Sequence, residues 1–177
     1  CALRLGLPFD RVVEALCRVP GVKGRAEIVP TGRDFTVIID YAHTPDGLDN
    51  ICRTLKGCAR GRLVTVFGCG GDRGKGKRPK MGAIAARWSD FLVVTSDNPR
   101  TEDPGAIIRD ILAGLEGTET PYTVVENRVE AIRWAVAHAQ PGDTILLAGK
   151  GHETYQEIDG VQRHLDEREE VASFYRG

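Results

Sequence analysis

The chain has 177 residues, 41% of them hydrophobic and 28% charged, enough for one ordinary core with a short attached piece. Its 24 basic and 25 acidic side chains leave a formal charge of -1, which excludes a global electrostatic attraction to nucleic acid or to an anionic membrane. No apolar run approaches the roughly 20 residues that span a bilayer, no basic-then-apolar leader opens the chain, and Cys1, Cys17, Cys52, Cys58 and Cys69 lack C-x-x-C spacing. A signal peptide, a zinc site and a disulfide framework are therefore not indicated; the expected location is the cytoplasm, and most cysteines are expected to be small buried hydrophobes.

The first elements stand apart from the rest. Phe9 to Cys17 has the pattern of a short helix with apolar Val12, Val13 and Leu16, and it ends at Pro20-Gly21 before any sheet begins. Together with an opening residue that is Cys rather than Met, this makes residues 1–24 the expected tail of a preceding domain, with a linker at Pro20 to Gly24. Residues 25–177 are then the domain proper. Ala26 to Val29 is a further strand candidate.

From there β-type and helical runs alternate. Phe35 to Asp40, Leu63 to Phe67, Phe91 to Thr95, Tyr122 to Val125 and Thr144 to Ala148 are short, β-branched and nearly continuously apolar, as strands covered on both faces are. Between them lie amphipathic stretches at Pro45 to Lys56, Pro79 to Trp88, Pro104 to Leu115 and Arg128 to Ala139; in the last, Val129, Ile132, Ala135 and Val136 recur at helical spacing. Thr44-Pro45 and Asp103-Pro104 each put a capping side chain before a proline at the first helical turn. The pattern predicts an α/β domain: a Rossmann-like, doubly wound, mostly parallel sheet. Tyr155 to Ile158 and Val161 to Leu165 flank Asp159-Gly160, a two-residue hairpin signal, and a charged helix from Asp166 to Tyr175 follows.

Four loops carry the chemistry, most of them directly after β-type runs, where an open α/β sheet binds ligands. Asp40, at a strand end, and His43 place a carboxylate and an imidazole before a helix N-terminus, where Asp40 can accept from ribose hydroxyls. Gly71 through Lys77 fits G-x-x-x-x-G-K by spacing, but Arg78 stands where a phosphate loop needs Ser or Thr for its metal, which argues against a Walker loop. Its glycines still expose N–H groups, and Arg73, Lys75, Lys77 and Arg78 supply positive charge for an anion. In Asp97-Asn98-Pro99-Arg100 the proline stiffens the turn, so that Asn98 and Arg100 are held, and an arginine can clamp a carboxylate with two parallel hydrogen bonds. Gly149 to Glu153 offers Lys150, His152 and Glu153, of which Glu153 suits an ammonium group. Singly, each loop also fits a bland reading as a cap, a turn or a solvated charge.

In combination they are more specific. D-Y-A-H-T-P-D, V-F-G-C-G-G-D-R followed by G-K-R-P-K-M-G, T-S-D-N-P-R-T-E-D-P and A-G-K-G-H-E-T-Y-Q, in this order, closely resemble the C-terminal domain of the Mur ligases that add the third amino acid of the peptidoglycan stem peptide. The resemblance covers essentially the whole chain, and the D-N-P-R form is that of members adding meso-diaminopimelate. Folate polyglutamate synthetases share the expected fold and the strand-end aspartate but not the full set.

The resemblance implies that Arg73, Asn98, Arg100, Gly149 and Glu153 bind meso-diaminopimelate and that Arg25, Asp40, Tyr41 and His43 contact ATP. It implies no metal ligand and no nucleophile here: ATP with Mg²⁺ phosphorylates the D-glutamate carboxylate of UDP-MurNAc-L-Ala-D-Glu, the diaminopimelate amine attacks the acyl phosphate, and the phosphate loop and uridine pocket belong to the central and N-terminal domains. The 177 residues alone are expected not to catalyse ligation. The chain departs from the family's usual residues at Ala26, Asn127 and Leu165-Asp166-Glu167, none of them in the implied ligand set. Two other classes are a stand-alone Mur-like nucleotide-binding or regulatory module, and a dinucleotide oxidoreductase, which the lack of G-x-G-x-x-G after the first strand disfavours.

Overall fold

The computed structural model describes residues 2–18 and 21–174. Cys1, Pro20 and Tyr175, which entered the expectations above, lie outside the described residues, as does the side chain of Leu16.

A 3-10 turn at Ala2–Leu5 and α1 (Phe9–Arg18) precede the sheet. Its strands and helices then alternate as β1 (Glu27–Val29), β2 (Thr36–Asp40), α2 (Pro45–Cys58), β3 (Leu63–Phe67), α3 (Lys77–Trp88), β4 (Phe91–Val94), α4 (Pro104–Leu112), β5 (Tyr122–Val124), α5 (Arg128–Ala137) and β6 (Thr144–Ala148). A hairpin of β7 (Tyr155–Ile158) and β8 (Val161–His164) and then α6 (Glu167–Phe174) complete the order. The sheet order is β1-β2-β6-β3-β4-β5, parallel except for β1, which runs antiparallel to β2 at the edge.

The period-two alternation of each strand divides the core between the two faces. Ile38, Leu63, Phe67, Leu92, Val94 and Leu146 pack with α2, α3 and α4; Val37, Ile39, Val66, Val93, Ile145 and Leu147 pack with α5 and α6. This is the doubly wound arrangement. In α5 the buried stripe is Ala131, Ile132, Ala135 and Val136, with Val129 only half-buried.

The helix starts follow the caps. Thr44 Oγ1 accepts from Gly47 N at 3.2 Å, Asp103 Oδ2 from Ala106 N at 3.0 Å, and Asn127 Oδ1 from Val129 N at 2.9 Å. At Asn127 the amide oxygen supplies the acceptor a carboxylate would. α3 begins at Lys77 rather than Pro79, because proline is tolerated throughout a first turn. Asp159 and Gly160 adopt φ of 51° and 74°, the left-handed pair a tight hairpin requires.

Two expectations are corrected. β5 is not covered on both faces: it forms the open edge, with Tyr122 48% and Val124 42% exposed, because no strand continues the sheet beyond it. Of the described cysteines only Cys52 and Cys69 are buried, and burial pushes both thiols up to about 12; Cys17 and Cys58 are exposed.

β6 lies between β2 and β3, reached by a return crossover from the edge. The exits of β2 and β3 lead to α2 and α3, whereas that of β6 leads to the hairpin and to α6 on the other face. Adjacent strands whose chains depart in opposite directions leave a crevice at their carboxyl ends.

Candidate functional site

The loop after β4 is the interior wall of that crevice. Ser96, Asp97 and Asn98 are all buried, and the Asn98 amide is engaged at both ends: Oδ1 accepts from Lys150 Nζ at 2.8 Å and from Glu157 N at 3.0 Å, and Nδ2 donates to Glu153 Oε2 at 3.0 Å. Gln156 Nε2 adds a donor to Ser96 Oγ at 3.1 Å, tying β7 to this wall.

Lys150 does not face the crevice. Its side chain is 0% exposed, and Nζ donates to Asn98 Oδ1 and to the Tyr155 carbonyl at 2.7 Å, with Asp97 and Glu153 carboxylates each 3.6 Å away. Burial lowers its pKa from the ordinary lysine value, against the opposing pull of Asp97. Of the charged groups on this loop, Glu153 is therefore the one turned to the opening, and His152 lies outside it with its ring 5.1 Å from that of Tyr41. Gly149 has φ of 119°, and a Cβ there would sit 2.6 Å from Asp97 Oδ2, so the turn needs glycine.

Arg100 is held, as expected, but by more than its proline. It adopts φ of 54°, its N–H donates to the Glu157 carbonyl at 3.0 Å and its own carbonyl accepts from Asp159 N at 2.7 Å, so the hairpin imposes the conformation. Its guanidinium donates to the Gly71 carbonyl at 2.7 Å and lies 3.4 Å from Glu157 Oε2. Arg73 is exposed, its side chain bonded to the Asp72 carbonyl at 3.1 Å.

The expected basic cluster of the glycine-rich loop is only half realised. Arg78 is fully buried against Glu102 (2.8 Å) and Asp110 (2.9 Å), and Lys75 lies 3.6 Å from Glu102. Arg78 and the Asp72 N–H together hold the Glu102 pKa down to about 2. The cause of the misreading is helical periodicity: residue 78, inside the first turn of α3, faces α4, not solvent. Lys77 does reach the crevice, donating to the His43 carbonyl at 2.9 Å.

On the far side, Tyr41 sits between His43, with ring centroids 4.5 Å apart, and Arg25, whose Cζ lies 5.0 Å from the ring centroid. Burial, then the Glu153 carboxylate, raise the Tyr41 pKa. Asp40 is turned away from the opening: Oδ2 accepts from Ala26 N at 2.7 Å and pins the turn that carries Arg25. Ala26, one of the departures noted above, occupies φ of 42° there.

The crevice has a volume of about 430 Å³, and Arg73, Asn98, Arg100, Gly149 and Glu153 all line it, with Tyr41 and His43 at one end. Arg25 and Asp40 stand behind Tyr41 and do not line it. The sequence reading missed Thr44, Gly70 and Asp97 as lining residues. It also missed the fully buried pair of Arg128 and Glu167, 2.7 Å apart, whose guanidinium donates to the carbonyls of Ser96 and Ala148 behind the crevice. An isolated arginine at a helix start gives no sequence signal of burial. Among the described residues no group of three or more His, Cys, Asp or Glu is arranged to hold a metal ion, and no helix is long and apolar enough to cross a membrane.

A UDP-N-acetylmuramoyl-L-alanyl-D-glutamate--2,6-diaminopimelate ligase of Syntrophomonas wolfei is 51% identical over 177 residues, covering 99% of this chain and 36% of that protein. The enzyme of the same name from Caldanaerobacter subterraneus is 56% identical over 167 residues, 94% of this chain and 34% of its own length. The solved structure of a ligase of that name superposes with a TM-score of 0.81 at 40% identity, covering 99% of this chain and 36% of the other. This chain thus spans about a third of the relatives it matches. Residues 24–151 match the family described as Mur ligase, glutamate ligase domain, and the chain belongs to the Mur ligase family.

Proposed function

We propose that this chain is the amino-acid-binding and nucleotide-closing domain of an ATP-dependent ligase that joins meso-diaminopimelate to UDP-MurNAc-L-Ala-D-Glu in peptidoglycan synthesis. The observation that carries the reading is the convergence of Arg73, Asn98, Arg100, Gly149 and Glu153, from three separate loops, on one crevice of about 430 Å³. Diaminopimelate has two carboxylates and two ammonium groups. Arg100 and Arg73 answer the carboxylates and Glu153 an ammonium, with the Asn98 amide fixed beside it. Lysine lacks the second carboxylate, so it would leave one of these arginines without a ligand partner and bind more weakly.

ATP would supply the phosphoryl group that activates the D-glutamate carboxylate. Arg25, Tyr41 and His43 form a cationic and aromatic edge suited to a nucleotide, and Asp40 acts on it by fixing the turn of Arg25. Mg²⁺ is given no ligand from this chain. The domain's share of catalysis is orientation: it presents one amine of a doubly charged amino acid while its other charges are neutralised.

Residues 1–24 are taken as the tail of a central domain. Supporting this, Leu3, Leu5, Leu7 and Phe9 are exposed by more than half, an apolar surface that suits a neighbour. With its central and N-terminal domains absent, the chain alone is expected to be inactive.

The test is an NMR titration of the isotope-labelled chain with meso-diaminopimelate and with L-lysine, and with Arg100→Ala as control. Shifts at Arg73, Asn98, Arg100 and Glu153 for diaminopimelate alone, lost in the variant, are expected. An equal response to both amino acids would refute the carboxylate clamp.

A further inference from the structure

The crevice rests on a buried layer of charge of which its ligand assignments use only Glu153. Lys150, Arg128 and Glu167 have side chains with 0% exposure, Asp97 has 8% and Glu153 17%. Lys150 lies 3.6 Å from both Asp97 and Glu153, Arg128 lies 2.7 Å from Glu167, and the fields of Asp97 and Glu153 reach both cations. Three carboxylates against two cations leave one negative charge; Asp97 and Glu153 both line the crevice, and Glu153 is the more exposed of the two, at 17% against 8%. Lys150 also settles a second question. An asparagine amide has two faces of opposite sense, and the Lys150 ammonium at 2.8 Å from Oδ1 requires the oxygen inward, so that Nδ2 points to Glu153 and the crevice.

We propose that Lys150 is a positioning residue of the amino-acid site: without touching the ligand it fixes the Asn98 amide and anchors Glu153 within a cluster of net negative charge, the docking point for a substrate ammonium. The proposal rests on the reading of this crevice as an amino-acid site. Its chemistry is local. A neutral side chain at 150 removes the cation that lies 3.6 Å from both Asp97 and Glu153 and leaves Asn98 Oδ1 with the Glu157 N–H alone, so both the carboxylates and the amide are held less firmly. Tyr155, whose carbonyl accepts from Nζ at 2.7 Å, couples the same ammonium to the hairpin that holds Arg100.

Lys150→Met and Lys150→Gln separate the two roles, since glutamine keeps a donor for Asn98 Oδ1 but no charge. Two measurements apply. In the isotope-labelled chain, the side-chain amide signals of Asn98 should move in Lys150→Met and stay near their wild-type positions in Lys150→Gln. In the full-length ligase, both variants should raise KM for diaminopimelate, up to about a hundredfold as for other misplaced positioning groups, with KM for ATP unchanged and with discrimination against lysine reduced. Thermal melting reports how much of each variant is folded. If Lys150→Met does not fold, the KM of Lys150→Gln decides.

Asn98 signals that stay fixed in folded Lys150→Met, or variants that lose kcat in proportion to folded protein with KM for diaminopimelate unchanged, would overturn the proposal. A wild-type enzyme that ligates no diaminopimelate while Lys150→Met still moves Asn98 would instead refute the substrate reading and leave the positioning role standing.

Discussion

Asn98 and Glu153, 55 positions apart in sequence, meet through an Nδ2–H···Oε2 hydrogen bond of 3.0 Å at the mouth of the crevice. The contact joins the exit of β4 to the exit of β6, which are separated in the sheet by β3. Any substrate ammonium reaching Glu153 thus meets a carboxylate already oriented.

Arg100→Ala should abolish diaminopimelate binding while leaving the fold in place. The guanidinium contributes a bond to the Gly71 carbonyl and a partly exposed ion pair with Glu157, both at the rim. The loss expected at the ligand is about 1.5 to 3 kcal/mol, that of hydrogen bonds to a charged group, read by calorimetric titration, against a small change in melting temperature.

Gly149→Ala should damage the same site from behind. At φ of 119° an added Cβ would lie 2.6 Å from Asp97 Oδ2, forcing either the turn or the Asp97 carboxylate to move. Strain of this kind costs about 1 to 3 kcal/mol, visible in urea unfolding, and ligand-induced shifts at Asn98 should vanish.

Glu102 should be one of the groups that make the fold sensitive to acid, with Glu27, Asp90 and Asp143. Its ordinary pKa of 4.5 is lowered to about 2 in the folded state, first by Arg78 and then by the Asp72 N–H. A carboxyl with a depressed folded-state pKa contributes stability that is present above its ordinary value and lost as pH falls through the folded value. Unfolding free energy should decline from pH 4.5 toward pH 2, and Glu102→Gln should be less stable at neutral pH yet show a shallower decline over that window.

Arg128→Met should be strongly destabilising, by about 3 to 5 kcal/mol, because it strands Glu167 in the interior, and adding Glu167→Leu should recover most of the loss. Both side chains are fully buried, and Glu167 Oε2 already lacks a hydrogen-bond partner. Equal stability of the single and double variants in urea would contradict this account.

What was legible in the sequence followed from short-range rules. Apolar runs such as Leu63 to Phe67 and Thr144 to Ala148 matched their strands residue for residue, because a strand buried on both faces has few alternatives. Thr44 and Asp103 marked helix starts through a local hydrogen bond, and Asp159-Gly160 marked its hairpin through backbone geometry. β5 was misjudged because Tyr122 and Val124 are as apolar as core residues, and exposure at an edge depends on which strand comes last in the sheet.

The alternation of elements, their caps and turns, and the loops in which charged and glycine residues gather at strand ends are all legible in the order of residues. Which of those charges face a ligand depends on how the elements pack. Arg73, Lys75, Lys77, Arg78 and Lys150 are equivalent as letters, yet Arg78 and Lys150 are wholly buried, Lys75 lies beside Glu102, and Arg73 and Lys77 reach the crevice. The physical reason is that a long cation in the interior of a protein is stable only beside carboxylates, and Glu102 and Asp110 for Arg78 and Asp97 for Lys150 come from other elements that folding alone brings into contact, Glu153 alone being local to its lysine.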